Sequence, residues 1–145
     1  MPRVDFYVLK ETDPKARNHF ACRLTEKAFK KGHSVFLLTS SSEDSELLND
    51  LLWCFREDSF VPHQIYGQSG VAPNLAVEIG HHQDVAPDFD LLINLTNKIP
   101  LFFNQFQRVS EVVVQQEAIL DATRNSYKHY KEQGCSLHLH NIQSV

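Results

Sequence analysis

Residues 34–39 read SVFLLT and residues 40–55 read SSSEDSELLNDLLWCF, and the join between them decides the fold. The first six are apolar almost throughout, the pattern of a strand covered on both faces. At the join, Ser40-x-x-Glu43 matches a capping box, in which a serine hydroxyl and a glutamate carboxylate satisfy free N–H groups at a helix start. Beyond it, Leu48, Leu51, Leu52 and Phe55 converge on one side of a helical wheel at about 100° per residue. A doubly covered strand running into an amphipathic helix is half of a βαβ unit.

The same grammar repeats in both directions. Residues 4–9 (VDFYVL) predict a first strand. Asp13 then supplies an N-cap, with Pro14 at the first helical position, where its missing N–H is no loss. That helix should run to about Lys31, turning Phe20, Ala21, Leu24 and Ala28 inward, with Gly32 closing it at C′. Downstream, short strands are expected at 62–66 and 76–79, separated by a turn-rich loop at 67–74. A polar loop at 81–88 leads to a buried strand at 89–95. A short helical or irregular piece follows at 100–106, then a strand at 109–114. A helix at 117–132 stops near Gly134, and 136–140 can form a last, edge strand. Strands alternating with helices imply right-handed crossovers. The prediction is a single α/β domain over 1–145, with a mainly parallel, Rossmann-like twisted sheet flanked by helices.

Trp53 does not fit its own helix. On the wheel it projects away from the leucines, among Glu46, Asn49 and Arg56, and Phe60 follows in a short loop before Val61-Pro62-His63. One reading is an exposed aromatic patch of the kind that anchors protein interfaces. The other is that a loop of the same domain folds over Trp53 and buries it.

The chain has 145 residues, enough for one domain burying roughly 68–70% of its unfolded surface. With 42% hydrophobic and 22% charged residues and a net charge of −4, it has no global basic field to draw in nucleic acid. No apolar run approaches the ~20 residues of a membrane span, and no signal-peptide core opens the chain. Cys22, Cys54 and Cys135 are odd in number, widely spaced and in no CxxC pair. They argue against a disulfide framework and for a reducing cytosol.

Motifs for chemistry are sought and not found. A doubly wound sheet raises the question of a nucleotide, yet Lys10-Glu11-Thr12-Asp13-Pro14 stands where a glycine-rich loop would follow the first strand. Gly67-Gln68-Ser69-Gly70 misses the second glycine of a nucleophile elbow and reads as a flexible turn. His81-His82-x-Asp84 and His138-x-His140 each offer part of a zinc site without two further ligands nearby, and read as surface histidines. His63 is suited to a local hydrogen bond that shapes its turn. No cofactor and no metal are expected.

The last helix has two sides of interest. Ile119, Ala122, Thr123, Ser126 and Tyr130 form its inward face. Beside them Leu120, Arg124, Tyr127, Lys128 and Lys131 make a stripe of apolar and cationic groups, with Glu117, Asp121 and Glu132 beyond. That stripe is either a solvated face, long stems covering apolar surface, or a landing site for a short acidic peptide with an apolar end.

Trp53 followed by Asp58-Ser59-Phe60-Val61-Pro62-His63 resembles the chi subunit family of bacterial DNA polymerase III holoenzyme. The likeness continues, in order, through Phe6-Tyr7-Val8-Leu9, Ala76-Val77-Glu78-Ile79, Asp90-Leu91-Leu92-Ile93-Asn94-Leu95 and Tyr127-Lys128-His129-Tyr130. The resemblance implies a non-catalytic, cytoplasmic accessory subunit of the clamp loader, at the replisome and touching nucleic acid only indirectly. It implies that Trp53 and Phe60 bind the partner psi. It also implies that Arg124 and Tyr127, bordered by Val113, hold the acidic C-terminal tail of single-stranded-DNA-binding protein. A basic residue expected one turn before Arg124 is Leu120 here, which shifts weight to Lys128 or Lys131. The rival from another class is a nucleotide-dependent enzyme on the same Rossmann-like fold.

Overall fold

The computed structural model describes residues 1–66, 75–81 and 89–143. Seven strands run in chain order: β1 (Arg3–Leu9), β2 (Val35–Leu38), β3 (Gln64–Ile65), β4 (Val77–Gly80), β5 (Leu91–Asn94), β6 (Arg108–Val113) and β7 (Ser136–Ile142). They form one sheet in the order β3-β4-β2-β5-β6-β1-β7, and every pairing is parallel. The helices are α1 (Lys15–Lys30), α2 (Ser42–Cys54) and α3 (Glu117–Glu132), with a 3₁₀ turn at Phe103–Gln105 before β6. The expected α/β class holds, and the sheet is wholly rather than mainly parallel.

Neighbouring residues of β1 show how the layers are arranged. Side chains alternate across a strand. Phe6 packs against Tyr127 and Tyr130 of α3, at ring distances of 5.6 and 6.1 Å. Tyr7, next along, packs against Phe20 of α1 at 5.2 Å. So α1 and α3 cover opposite faces. α2 lies beside α1, over β3 and β4. The crossovers from β1 to β2 and from β2 to β3 travel one way along the sheet, and β6 to β7 travels the other. A right-handed connection places the helices on opposite faces when the direction reverses.

Local chemistry explains the element ends. Asp13 Oδ1 accepts from the Lys15 N–H at 3.0 Å, and Pro14 already has helical dihedrals. α1 closes with His33 N–H on Ala28 O and Gly32 N–H on Phe29 O. α3 closes in the same way, with Cys135 on Tyr130 and Gly134 on Lys131. Both glycines have positive φ, 86° and 83°, which this closure demands and other residues resist. The cap of α2 corrects the sequence expectation by one residue. Ser41, not Ser40, is extended and accepts from the Asp44 N–H at 3.2 Å, so Glu43 is not the third residue of the box. Ser40 lies before the cap because Thr39, still at the strand's end, already bonds the Ser45 hydroxyl and Ser41 carbonyl.

The core forms where β2, β5 and β6 run through the middle of the sheet, with Leu37, Leu38, Leu92, Ile93 and Val109 inaccessible to solvent. Gly80, at the end of β4, passes close to the buried ring of Phe36. A Cβ built there would lie 2.6 Å from its Cζ. Tyr66 and Phe89 bound that ring at 5.7 and 5.6 Å, so it has little room to swing. Gly80→Ala should therefore lower stability by about 1–3 kcal/mol through overpacking. The check is a urea melt, in which the midpoint falls at unchanged slope. A midpoint equal to that of the wild type would mean the ring moves aside freely.

Candidate partner-binding surfaces

The end of α2 presents an aromatic pair to solvent. Trp53 is 50% and Phe60 69% exposed, with ring centres 5.7 Å apart. Following residues fold beneath the indole rather than over it. His63 is buried, its ring 4.2 Å from that of Trp53. Its two nitrogens lie 2.7 Å from Val61 O and 2.9 Å from Asn49 O, the local hydrogen bonding expected of this histidine. Val61 is sunk in the core. A second clamp acts between Trp53 and Phe60. Buried Glu26 of α1 accepts from Arg56 Nη1 at 2.8 Å and from the Ser59 hydroxyl. Glu26 of α1 and the side chains of Arg56, Ser59 and His63 beyond the end of α2 thus hold an exposed pair in place, an apolar surface of the sort partners dock on.

On the opposite layer, α3 presents the cationic stripe. Arg124 is exposed, but its fork is already engaged, with Nη1 2.6 Å from Asp121 Oδ1. Asp121 was expected beyond the stripe and instead reaches into it, since residues three apart share a helix face. Tyr127 is half-buried against Phe6, and Lys128 and Lys131 are exposed. Val113 points to the same face as α3 but is only 2% exposed, so it lies under the stripe rather than on it. Leu120 is half-buried beside them.

Beneath α3 lies a buried polar group that the sequence did not reveal. Glu111 accepts on Oε2 from Tyr130 OH at 2.7 Å and from Asn94 Nδ2 at 2.9 Å. Burial pushes its carboxyl up to about 7, against the opposing pull of those two donors and of Arg17. Arg17 was equally unforeseen. It is buried, donating from Nε to Val112 O at 3.0 Å and from Nη2 to Thr96 O at 3.4 Å. These carbonyls lie at the carboxyl ends of the central strands, where open parallel sheets bind ligands. Here the crevice is stitched by the chain's own guanidinium.

Among the described residues, no three His, Cys, Asp or Glu side chains gather to hold a metal ion. His138 lies 3.0 Å from the Ser136 hydroxyl, and His140 Nε2 2.8 Å from Asp5 Oδ1. His82 and Asp84 of the other histidine motif, and the Gly67-Gln68-Ser69-Gly70 turn, lie outside the described residues. The three cysteines are free, and burial pushes the Cys22 thiol up to about 12. Among the described residues no helix is long and apolar enough to cross a membrane.

The family model for the DNA polymerase III chi subunit, HolC, matches residues 1–138. The chain belongs to the chi subunit family of DNA polymerase III. Curated relatives agree with that placement. The chain is 40% identical to DNA polymerase III subunit chi of Pseudomonas aeruginosa over 145 residues, covering 100% of both chains. It is 28% identical to the Haemophilus influenzae subunit chi, over 94% of this chain and 95% of that one. With the Escherichia coli subunit chi it shares 26%, over 94% and 96%. A likeness of fold alone links it to T4 UvsW, with a TM-score of 0.71 at 7% identity, over 99% of this chain and 42% of the other. As a chi-family chain it is an accessory subunit in DNA replication.

Proposed function

We propose that this chi-family chain is a non-catalytic bridge, joining psi through Trp53 and Phe60 and the acidic tail of single-stranded-DNA-binding protein through α3. The observation that carries this reading is the exposed Trp53–Phe60 pair, held 5.7 Å apart over a buried, hydrogen-bonded His63. An exposed tryptophan fixed from below has little entropy to lose on docking. The Arg17 stitch supports the lack of catalysis, because it engages the strand-end carbonyls beside which a nucleotide would lie. The deciding experiment is a ternary assembly. Psi and an acidic, Phe-terminated tail peptide are added to the chain together, and each should bind with its affinity unaltered by the other. Mutual exclusion would refute two separate surfaces.

The tail site yields a sharper expectation. Arg124 offers a planar fork to carboxylates, and Lys128 and Lys131 add charge within two turns, so attraction is local on a chain of net charge −4. Arg124→Ala should remove most tail binding, since neighbouring lysines do not replace a bidentate fork. Asp121 now occupies part of that fork. Asp121→Ala frees it and removes a like charge, so it should tighten the tail several-fold. Calorimetry with the peptide reads both variants. Equal affinity for wild type and Arg124→Ala would place the site elsewhere, and weaker binding by Asp121→Ala would make Asp121 part of the site. Val113, being covered, contributes only as the floor under Tyr127.

A further inference from the structure

A second cationic feature lies on the other face of the sheet, away from α3. Helix α1 with its cap residue carries Lys15, Arg17, Arg23, Lys27, Lys30 and Lys31, and its sole acid, Glu26, is buried and bonded to Arg56. Its last turns form one wall of a cleft of about 340 Å³, with Lys27 and Lys31 above an apolar floor of Leu24, Ala28 and Leu91. The opposite wall belongs to the strands, where Arg108 and His140 stand beside Tyr7. The lining acid is Asp90, which faces His33 at 3.6 Å.

Arg108 is aimed by what lies behind it. Asp5, wholly buried in β1, accepts from Arg108 Nη2 at 2.8 Å, from His140 Nε2 at 2.8 Å and from Arg3 Nε at 3.2 Å. Burial would raise the Asp5 carboxyl, but those three donors outweigh it and hold it below its ordinary value. One carboxylate is therefore surrounded by two guanidiniums and an imidazole, so Asp5 cannot neutralise both arginines, of which Arg108 lines the cleft. The negative end of a helix dipole accounts for cations in the last turn of α1. It does not account for Arg108, brought to the same cleft from β6. Lys27 and Lys31, four apart, repel one another unless an anion lies between them.

We infer that this cleft binds a phosphate group, with Lys27 and Lys31 closing on it from α1 and Arg108 from the sheet. The size fits a ligand of about one nucleotide, near the lower end of small-molecule sites. A free nucleotide and the backbone of a single strand share that chemistry. The test titrates the full chain with pyrophosphate, a nucleoside triphosphate and a short single-stranded oligonucleotide, following the amides of Tyr7, Lys27 and Arg108 by NMR. Saturable binding is expected, at least tenfold weaker in Lys27→Glu/Lys31→Glu, less weakened in Lys27→Gln/Lys31→Gln, and unchanged in the distant Lys10→Glu. Tighter binding of the oligonucleotide assigns the phosphate to a strand, and tighter binding of the triphosphate to a free nucleotide. The inference fails if none of the probes saturates at millimolar concentration, or if the double-glutamate variant binds like the wild type.

Discussion

Replacing Trp53 with alanine should weaken psi binding by about 2–4 kcal/mol, roughly 30- to 1000-fold, while leaving the fold intact. The separation of the two effects follows from the structure. Half of the residue is in solvent, and its helix is held instead by Leu48 and Leu52, both nearly inaccessible. Truncation removes the upper layer of the patch and leaves the His63 ring with its two carbonyl partners. Phe60, more exposed still, should behave likewise with a smaller loss. The measurement pairs titration of psi with a thermal melt of the free chain. A strong fall in melting temperature, with psi affinity unchanged in the folded fraction, would make Trp53 a core residue and sink the docking surface.

Stability should decline as pH rises from about 5 to 8, and Glu111 should account for much of that slope. The folded-state pKa of this carboxyl, about 7, stands above the ordinary glutamate value of 4.5. A raised folded pKa means the native state holds the proton more tightly than the unfolded chain. The contribution is fully present below the unfolded value and is lost as pH climbs through the folded one. A separation of this size corresponds to about 3 kcal/mol at full deprotonation. Asp5 acts in the reverse sense and in a different window. Its lowered carboxyl favours the fold at higher pH, and that contribution is lost in strong acid. Glu111→Gln keeps an oxygen for Tyr130 and Asn94 and removes the titration. Urea midpoints at pH 5 and pH 8 should therefore differ in the wild type and nearly coincide in the variant, the histidines being common to both. Parallel slopes in the two proteins would show that Glu111 does not carry the effect.

Much of the architecture was legible because local rules fix it. Gly32 could be read as the stop of α1 since a chain leaving a helix needs positive φ there. SVFLLT could be read as a central strand because only a doubly covered strand is apolar on both sides. Trp53 could be singled out because its position contradicts the wheel of its own helix. Ser40 and Ser41 each have an acid three residues on, Glu43 and Asp44, and only backbone dihedrals distinguish them as caps. Leu51 and Phe55, expected inward, are half-buried at the margin of the stripe rather than in its centre. Glu26, Arg17 and Glu111 were not legible at all. Each is buried by partners distant along the chain, Glu26 by Arg56 and Ser59, Arg17 by Val112, Glu111 by Asn94 and Tyr130. A charged residue in isolation looks solvated, and only the tertiary pairing reverses that.

The reversal of crossover direction at β3 also has a mechanical consequence. α2 rests over β3 and β4 on one face, while α3 rests over β6 and β7 on the other. Partners pulling on the two proposed surfaces would tug at different ends of the sheet. Their load would run across the strands, through the parallel ladders β4–β2, β2–β5 and β5–β6 in series. Ladders loaded sideways open one hydrogen bond after another rather than all at once, so the weakest junction sets the yield. All three ladders of that series are four residues long, against six and seven for β1 with β6 and β7, so a stretched tether would part in the middle of the sheet.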